Sequence, residues 1–130
     1  MQNFVICPNN AEEVPCFLEK AAPGFSRSEE FLGLEPEFKK IPGLVCGAFK
    51  DYLVRLQGLA EKGSADPQTL VELEKAYEAI ETLASSNDPN VENLVVVEIY
   101  EHLALSNGAL IRFKQHLKTK SLNLYKQWIE

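Results

Sequence analysis

Residues 88–103 read DPNVENLVVVEIYEHL, and this stretch decides the fold class. Asp88 followed by Pro89 is typical of a helix start, because a carboxylate caps free backbone N–H groups and proline fits the first helical turn. The apolar run 94–97 suits either a strand or a helix that is buried on several sides. The Asp-Pro start and the continuation through Leu105 favour a central, buried helix over a strand.

Working outward, the two preceding segments carry the same kind of signal. Asp66-Pro67 predicts a second helix, whose apolar face comprises Leu70, Leu73, Tyr77, Ile80 and Ala84. A third helix is predicted from Pro42 to a stop at Gly63. Its apolar residues recur at intervals of three and four, namely Val45, Phe49, Tyr52, Leu56 and Leu59, with Leu44, Ala48 and Leu53 widening the face.

The N-terminal third gives weaker signals. Residues 1–25 contain three prolines and predict an irregular arm, with a short extended piece at 4–6 and at most a short helix around Ala11–Lys20. Ser26–Lys40 has helical spacing, but Gly33 and Pro36 can divide it in two.

At the other end of the chain, Asn107-Gly108 predicts a turn before two short helices. Their aromatic residues, Phe113, Tyr125 and Trp128, keep helical spacing and are expected in the core. Short connections favour antiparallel neighbours. The prediction is therefore all-α: five or six antiparallel helices packed as helical hairpins in one bundle-like domain that spans residues 1–130.

Composition indicates a soluble, cytoplasmic protein. The chain has 130 residues, of which 45% are hydrophobic, enough for a core. No apolar run approaches the roughly 20 residues that cross a bilayer, and the first ten residues lack the features of a secretory signal. The three cysteines, Cys7, Cys16 and Cys46, form no CxxC pair, which favours reduced thiols over a disulfide framework or a zinc site.

The net charge of −6 is distributed unevenly. Residues 66–104 hold nine acids and one base, Lys75, whereas residues 105–130 carry a net charge of +4. An acidic centre repels nucleic acid and anionic lipid and favours a basic partner. We therefore expect no nucleic-acid or membrane partner.

Catalytic signatures are lacking in the sequence. Glu98, Glu101 and His102 lie within one arc of an α-helix, but the spacing matches neither the zincin motif nor the Glu-x-x-His pairs of di-iron bundles. The chain has no phosphate-binding glycine loop and no GxSxG motif. No enzyme activity, metal or cofactor is predicted, and an ordinary solvated helix face is the simplest interpretation of these three residues.

An acidic stripe stands out on the helix that begins at Pro67. Glu74, Glu78 and Glu81 follow i, i+4, i+7 spacing, and like charges so placed destabilise an isolated helix by about 0.2–0.5 kcal/mol per pair. Two interpretations remain open. Lysines of the C-terminal helices, at 114, 118 or 120, neutralise the stripe, or the stripe docks a basic protein.

Two stretches of this chain suggest a family. Residues 41–49, IPGLVCGAF, and residues 87–103, NDPNVENLVVVEIYEHL, resemble small all-helical bacterial immunity-type proteins, many of them classed as domains of unknown function. The resemblance covers roughly residues 41–104. It implies a cytoplasmic protein that binds and neutralises a cognate toxin without catalysis.

The functional hypothesis is thus a non-enzymatic protein-binding domain, an immunity protein that contacts a basic toxin domain through an acidic face. The predicted contact residues are Glu74, Glu78, Glu81, Glu98, Glu101 and His102, with the loop Ser64–Asp66 as another possible contact. The alternative is a helical scaffold or regulatory adaptor in a multi-protein complex. A metalloenzyme that uses Glu98, Glu101 and His102 is a remote third.

Overall fold

The structure is a computed structural model that describes residues 7–63, 66–104 and 109–129. These residues are helical with no strand, which confirms the all-α prediction. The expected extended piece at 4–6, the turn at 107–108 and most of the loop 64–66 lie outside the described residues.

Three helical segments form the centre of the fold. Helix α4 is Pro42–Glu61 and helix α5 is Pro67–Ala84. The third segment is continuous and comprises α6, Pro89–Leu94, a π-helical stretch, Val95–Tyr100, and α7, Glu101–Ala104. Helix α4 packs against both α5 and the π-helical stretch. The run of valines is therefore helical, as predicted.

The predicted capping residues occupy the ends of these helices. The Asp66 side chain accepts a hydrogen bond from the Thr69 backbone N–H at 2.8 Å. The Asp88 side chain accepts bonds from Asn90 and Val91, at 2.8 and 3.2 Å. Such bonds satisfy amides that lack a partner within the helix. Helix α4 ends one residue before Lys62, and Gly63 follows with a φ of 71°, which suits glycine.

The short helix allowed around Ala11–Lys20 is present, and residues 11–25 are more regular than the irregular arm expected over residues 1–25. Ala11–Glu13 form a 3₁₀ turn, followed by helices α1, Val14–Ala21, and α2, Pro23–Ser26. Prolines are compatible with these helices because they stand in first turns. The buried apolar side chains of this region join the core, namely Val14, Phe17, Leu18, Ala22 and Phe25.

The remaining described elements are short. Helix α3, Glu29–Leu32, and a 3₁₀ turn, Pro36–Lys40, divide the segment that was expected to split. Helices α8, Ala109–His116, and α9, Thr119–Trp128, form the C-terminal part. The described chain thus contains more and shorter helical pieces than the five or six expected.

Three residues predicted to face the core are substantially exposed. Leu70 is 51% exposed, Leu44 is 44% exposed, and Trp128 is 59% exposed. Leu44 and Leu70 each lie in the first turns of their helices, where neighbouring elements do not cover the apolar face. Trp128 is the last residue of α9. The other two aromatic residues of the C-terminal helices are buried as expected, with Phe113 1% and Tyr125 3% exposed.

Candidate functional site

The acidic stripe of α5 contacts the C-terminal helix. Lys118 donates from Nζ to Glu74 Oε1 at 2.9 Å. This bond, together with the nearby charges of Glu74, Glu78 and Glu81, raises the pKa of Lys118 against the opposing effect of burial. The interpretation that a C-terminal lysine neutralises the stripe is confirmed for the Glu74–Lys118 pair.

Glu81 serves a different purpose, because it caps the start of α9. Its Oε2 accepts from the Lys120 backbone N–H at 2.9 Å, and its Oε1 accepts from the N–H and hydroxyl of Ser121 at 2.8 and 2.9 Å. Lys118, the residue before α9, has no side-chain acceptor to offer these amides. Burial alone would raise the pKa of Glu81, but these hydrogen bonds and the charge of Lys118 lower it.

Glu98 leans towards the start of α4. A Cβ built on Gly43 would lie 3.2 Å from Glu98 Oε2, so the half-buried carboxylate sits against the first turn of that helix. Ile41, which precedes α4, supplies no side-chain cap, and a negative charge is favourable at a helix N-terminus. Burial, reinforced by the charge of Glu98, raises the pKa of the Cys46 thiol to about 12.

Glu101 and His102 are exposed at the start of α7, whereas Glu98 is half-buried. The expectation of one arc assumed α-helical winding throughout. The π-helix Val95–Tyr100 changes the angle per residue between these positions. No group of three or more potential ligands close enough to hold a metal ion occurs among residues 7–63, 66–104 and 109–129.

The central acidic segment therefore has two halves. The α5 carboxylates Glu74 and Glu81 bond to the chain's own C-terminal helix. On the segment from α6 to α7, Glu92, Glu98 and Glu101 have no ion-pair partner within the described parts of the chain. These three residues thus leave negative charge on the third helical segment that no described residue pairs with.

A cleft of about 350 Å³ lies between the start of α6 and the end of α9. We name it the Trp128 cleft, and its lining consists of Pro89, Asn90, Glu92, Asn93, Val96 and Trp128. Glu92 is half-buried and Asn90 and Asn93 are exposed, so polar groups surround an indole ring that projects into solvent. Tryptophan is strongly enriched among the residues that dominate binding energy at protein interfaces.

Sequence reasoning missed this cleft because helical spacing placed Trp128 in the core. The signal available was small: Glu92 and Asn93 occupy polar positions at the start of a mostly apolar helix. Only the packing of α9 brings Trp128 to the same place.

A second cleft, of about 440 Å³, lies between the N-terminal segment and the loop after α5. Cys7, Asn9, Ser86 and Asp88 are among its lining residues. The Cys7 thiol donates to the Thr82 carbonyl at 3.2 Å, and burial raises the pKa of this thiol, against a smaller opposing effect of Ser86. A higher pKa keeps the sulfur protonated and therefore poorly nucleophilic.

In the part of the chain that the structure describes, the fold is all-helical and an exposed indole lies beside a carboxylate that has no ion-pair partner there. Residues 18–130 match a family model described as "Domain of unknown function (DUF7674)", and the chain belongs to that family. The match extends well beyond residues 41–104, on which the resemblance noted above rests. No curated protein and no solved structure matches the chain. Within the described residues, no helix is both long and apolar enough to span a membrane.

Proposed function

We propose that this protein is a non-enzymatic binding domain that recognises a basic protein through the third helical segment and Trp128. The observation that carries the proposal is the exposed indole of Trp128 beside the Glu92 carboxylate, which has no ion-pair partner among the described residues. Covering this ring with a partner would remove a large apolar area from water, which favours binding. Glu101 and His102, exposed farther along the same segment, extend the contact surface.

The contact residues proposed here differ in emphasis from the sequence prediction. Glu74 and Glu81 support the C-terminal helix, and Glu78 lies close enough to Lys118 to raise its pKa. Glu101 and His102 are exposed on the third helical segment, with the half-buried Glu98 at its edge towards α4. Glu92 and Trp128 are additions.

The finer proposal is an immunity-type inhibitor in the cytoplasm that neutralises a cognate bacterial toxin. The support comes from the resemblance of residues 41–104 and from the net charge of −6. A negative charge is complementary to the basic substrate clefts that are common in nucleases. Free thiols at Cys7, Cys16 and Cys46 fit a reducing compartment. Covering the toxin's active site would require no catalysis, cofactor or metal from this chain.

The test is co-expression with the C-terminal domain of a secreted toxin encoded next to this chain. We expect the chain to rescue growth and to form a complex whose association rate falls as salt increases. The double variant Glu92→Gln/Glu101→Gln should slow association by roughly fivefold at low salt, because it removes two exposed charges.

A charge-matched control is available in the 3₁₀ segment before α4. Glu35→Gln/Glu37→Gln removes two exposed carboxylates from a different element and should leave the association rate within about 1.5-fold. Failure to rescue growth, combined with no complex, would reject the inhibitor function. A rate that is insensitive to salt would reject electrostatic steering.

A row of exposed apolar side chains favours the adaptor alternative. Phe38, Ile41 and Leu44 lie three residues apart around the start of α4 and are 39%, 42% and 44% exposed. A second contact surface at this end would allow the chain to bridge two proteins. In that case, Leu44→Ser would abolish one interaction of a purified complex and leave the Trp128-dependent interaction intact.

A further inference from the structure

We infer that the Trp128 cleft takes up an arginine side chain of the partner protein. The inference deepens the proposed function and rests on it, since it names the chemical group that a basic partner presents. Its starting point is the contrast within α9, where Tyr125 is 3% exposed and Trp128, three residues later, is 59% exposed. Burying such a ring on binding removes a large apolar area from water.

The charge of the cleft selects a cation. Glu92 is the charged residue of the lining, and no basic side chain is among the lining residues that the structure describes. The full negative charge of Glu92 outweighs the roughly half positive charge of a helix N-terminus, and Asp88, which caps the start of α6, lines the second cleft. An anionic ligand would meet net repulsion here.

The polar groups around the ring select a planar cation. A guanidinium group stacks on an aromatic face and at the same time donates to a carboxylate in a forked arrangement. The side-chain oxygens of Asn90 and Asn93 supply further acceptors at the rim. A lysine ammonium also binds over an indole ring, but its compact charge has no planar face to stack.

A purely apolar occupant fits less well. It would cover the Glu92 carboxylate and the two amides without giving them hydrogen bonds, and burying unpaired polar groups is unfavourable. An arginine of a protein partner can stack on the indole ring, pair with the Glu92 carboxylate and donate hydrogen bonds to the two amides.

The chain carries its own probe for this test, because Trp128 is its one tryptophan. We would titrate the full chain with a blocked peptide of sequence Gly-Arg-Gly-Arg-Gly and follow the tryptophan emission. The matched peptides replace both arginines by lysine or by citrulline, which keeps the shape of arginine but has no charge. The arginine peptide should give a saturable change, the lysine peptide about threefold weaker binding, and the citrulline peptide no saturation.

Variants distinguish binding in the Trp128 cleft from nonspecific electrostatic binding of a basic peptide to an acidic protein. Glu92→Gln should weaken binding of the arginine peptide by about fivefold, and Asn93→Ala by about twofold. Glu37→Gln removes one exposed carboxylate elsewhere and should leave the affinity unchanged. Far-UV circular dichroism checks that each variant folds, and Asn93→Ala provides a second reading should Glu92→Gln not fold.

The inference is overturned if no peptide changes the emission, if citrulline works as well as arginine, or if Glu92→Gln and Glu37→Gln bind alike. Failure of the proposed function looks different. A toxin complex that forms with undiminished affinity in Trp128→Ala and Glu92→Gln would refute the arginine site and Trp128 as a contact, and would leave the inhibitor function standing. Peptide binding without any toxin complex or growth rescue would support the arginine site and refute the inhibitor function.

Discussion

Replacing Glu81 by alanine should detach the start of α9 from α5. The side chain accepts three hydrogen bonds, from Lys120 N, Ser121 N and Ser121 Oγ, at 2.8–2.9 Å. Hydrogen bonds to a charged acceptor contribute about 1.5–3 kcal/mol each, but the exposed helix end regains water when the carboxylate is lost. We therefore expect Glu81→Ala to lower the free energy of unfolding by about 3 kcal/mol.

Two variants calibrate that value. Glu81→Gln keeps one acceptor oxygen and removes the charge, so the loss should be about half as large, roughly 1.5 kcal/mol. Glu78 lies one turn earlier on α5 and is exposed, and Glu78→Ala should cost less than about 0.5 kcal/mol. The assay is urea unfolding followed by far-UV circular dichroism. A loss for Glu81→Ala within 0.5 kcal/mol of that for Glu78→Ala would refute the capping argument.

The same contact predicts how stability depends on pH. The pKa of Glu81 is lowered in the folded protein, since the bonds from Ser121 and Lys120 outweigh desolvation. A group with a lowered folded pKa stabilises the fold fully above its unfolded pKa, which is about 4.3 for glutamate. That stabilisation disappears as pH falls through the folded pKa. The difference in stability between the unaltered chain and Glu81→Gln should therefore be constant above pH 6 and shrink below pH 4. An unchanged difference at pH 3 would contradict the lowered pKa.

Three further substitutions test the packing by urea unfolding. Gly24→Ala should destabilise by about 1–3 kcal/mol, because its Cβ would lie 2.6 Å from the hydroxyl of buried Tyr52. Gly47→Ala lies within α4, and apart from the adjacent backbone of that helix no atom lies within 4 Å of the added Cβ, so it should stabilise by about 0.5–1 kcal/mol. Equal effects at the two glycines would refute the steric argument. Tyr100→Phe should cost about 1–2 kcal/mol, since it leaves the carbonyl of Ser121 without the hydroxyl that donates to it at 2.9 Å; a loss below 0.3 kcal/mol would contradict this.

The fold class could be predicted from sequence because the deciding signals are local. Asp66-Pro67 and Asp88-Pro89 each combine a capping carboxylate with a proline that suits the first turn, and both caps form hydrogen bonds in the structure. Apolar spacing then identifies the buried face of a long helix without knowledge of its neighbours. Phe49 and Ile80, both fully buried, were found in this way.

The N-terminal helices gave only weak signals, because α2 and α3 are too short for periodicity to emerge. Helix α2 has four residues and α3 has four, so neither completes a second turn. Their stability comes from tertiary packing, in which Phe25 contacts the rings of Phe31, Phe49 and Tyr52 at centroid distances of 5.1–5.6 Å. Such contacts join distant parts of the chain and leave no local pattern.

The candidate site was predictable only in part. The positions of charged residues can be read from the sequence, but which of them form ion pairs depends on the tertiary structure. The excess of carboxylates between residues 66 and 104 is evident from composition, but Glu74 and Glu81 bond to residues about 40 positions away, at and just before the start of α9. The same docking of α9 that occupies these two carboxylates carries Trp128 to Glu92. One packing event thus gives two carboxylates of α5 partners within the chain and creates an aromatic, acidic cleft on α6. It follows that variants at Glu81 should disturb the Trp128 cleft as well, and that the emission of Trp128 should report both.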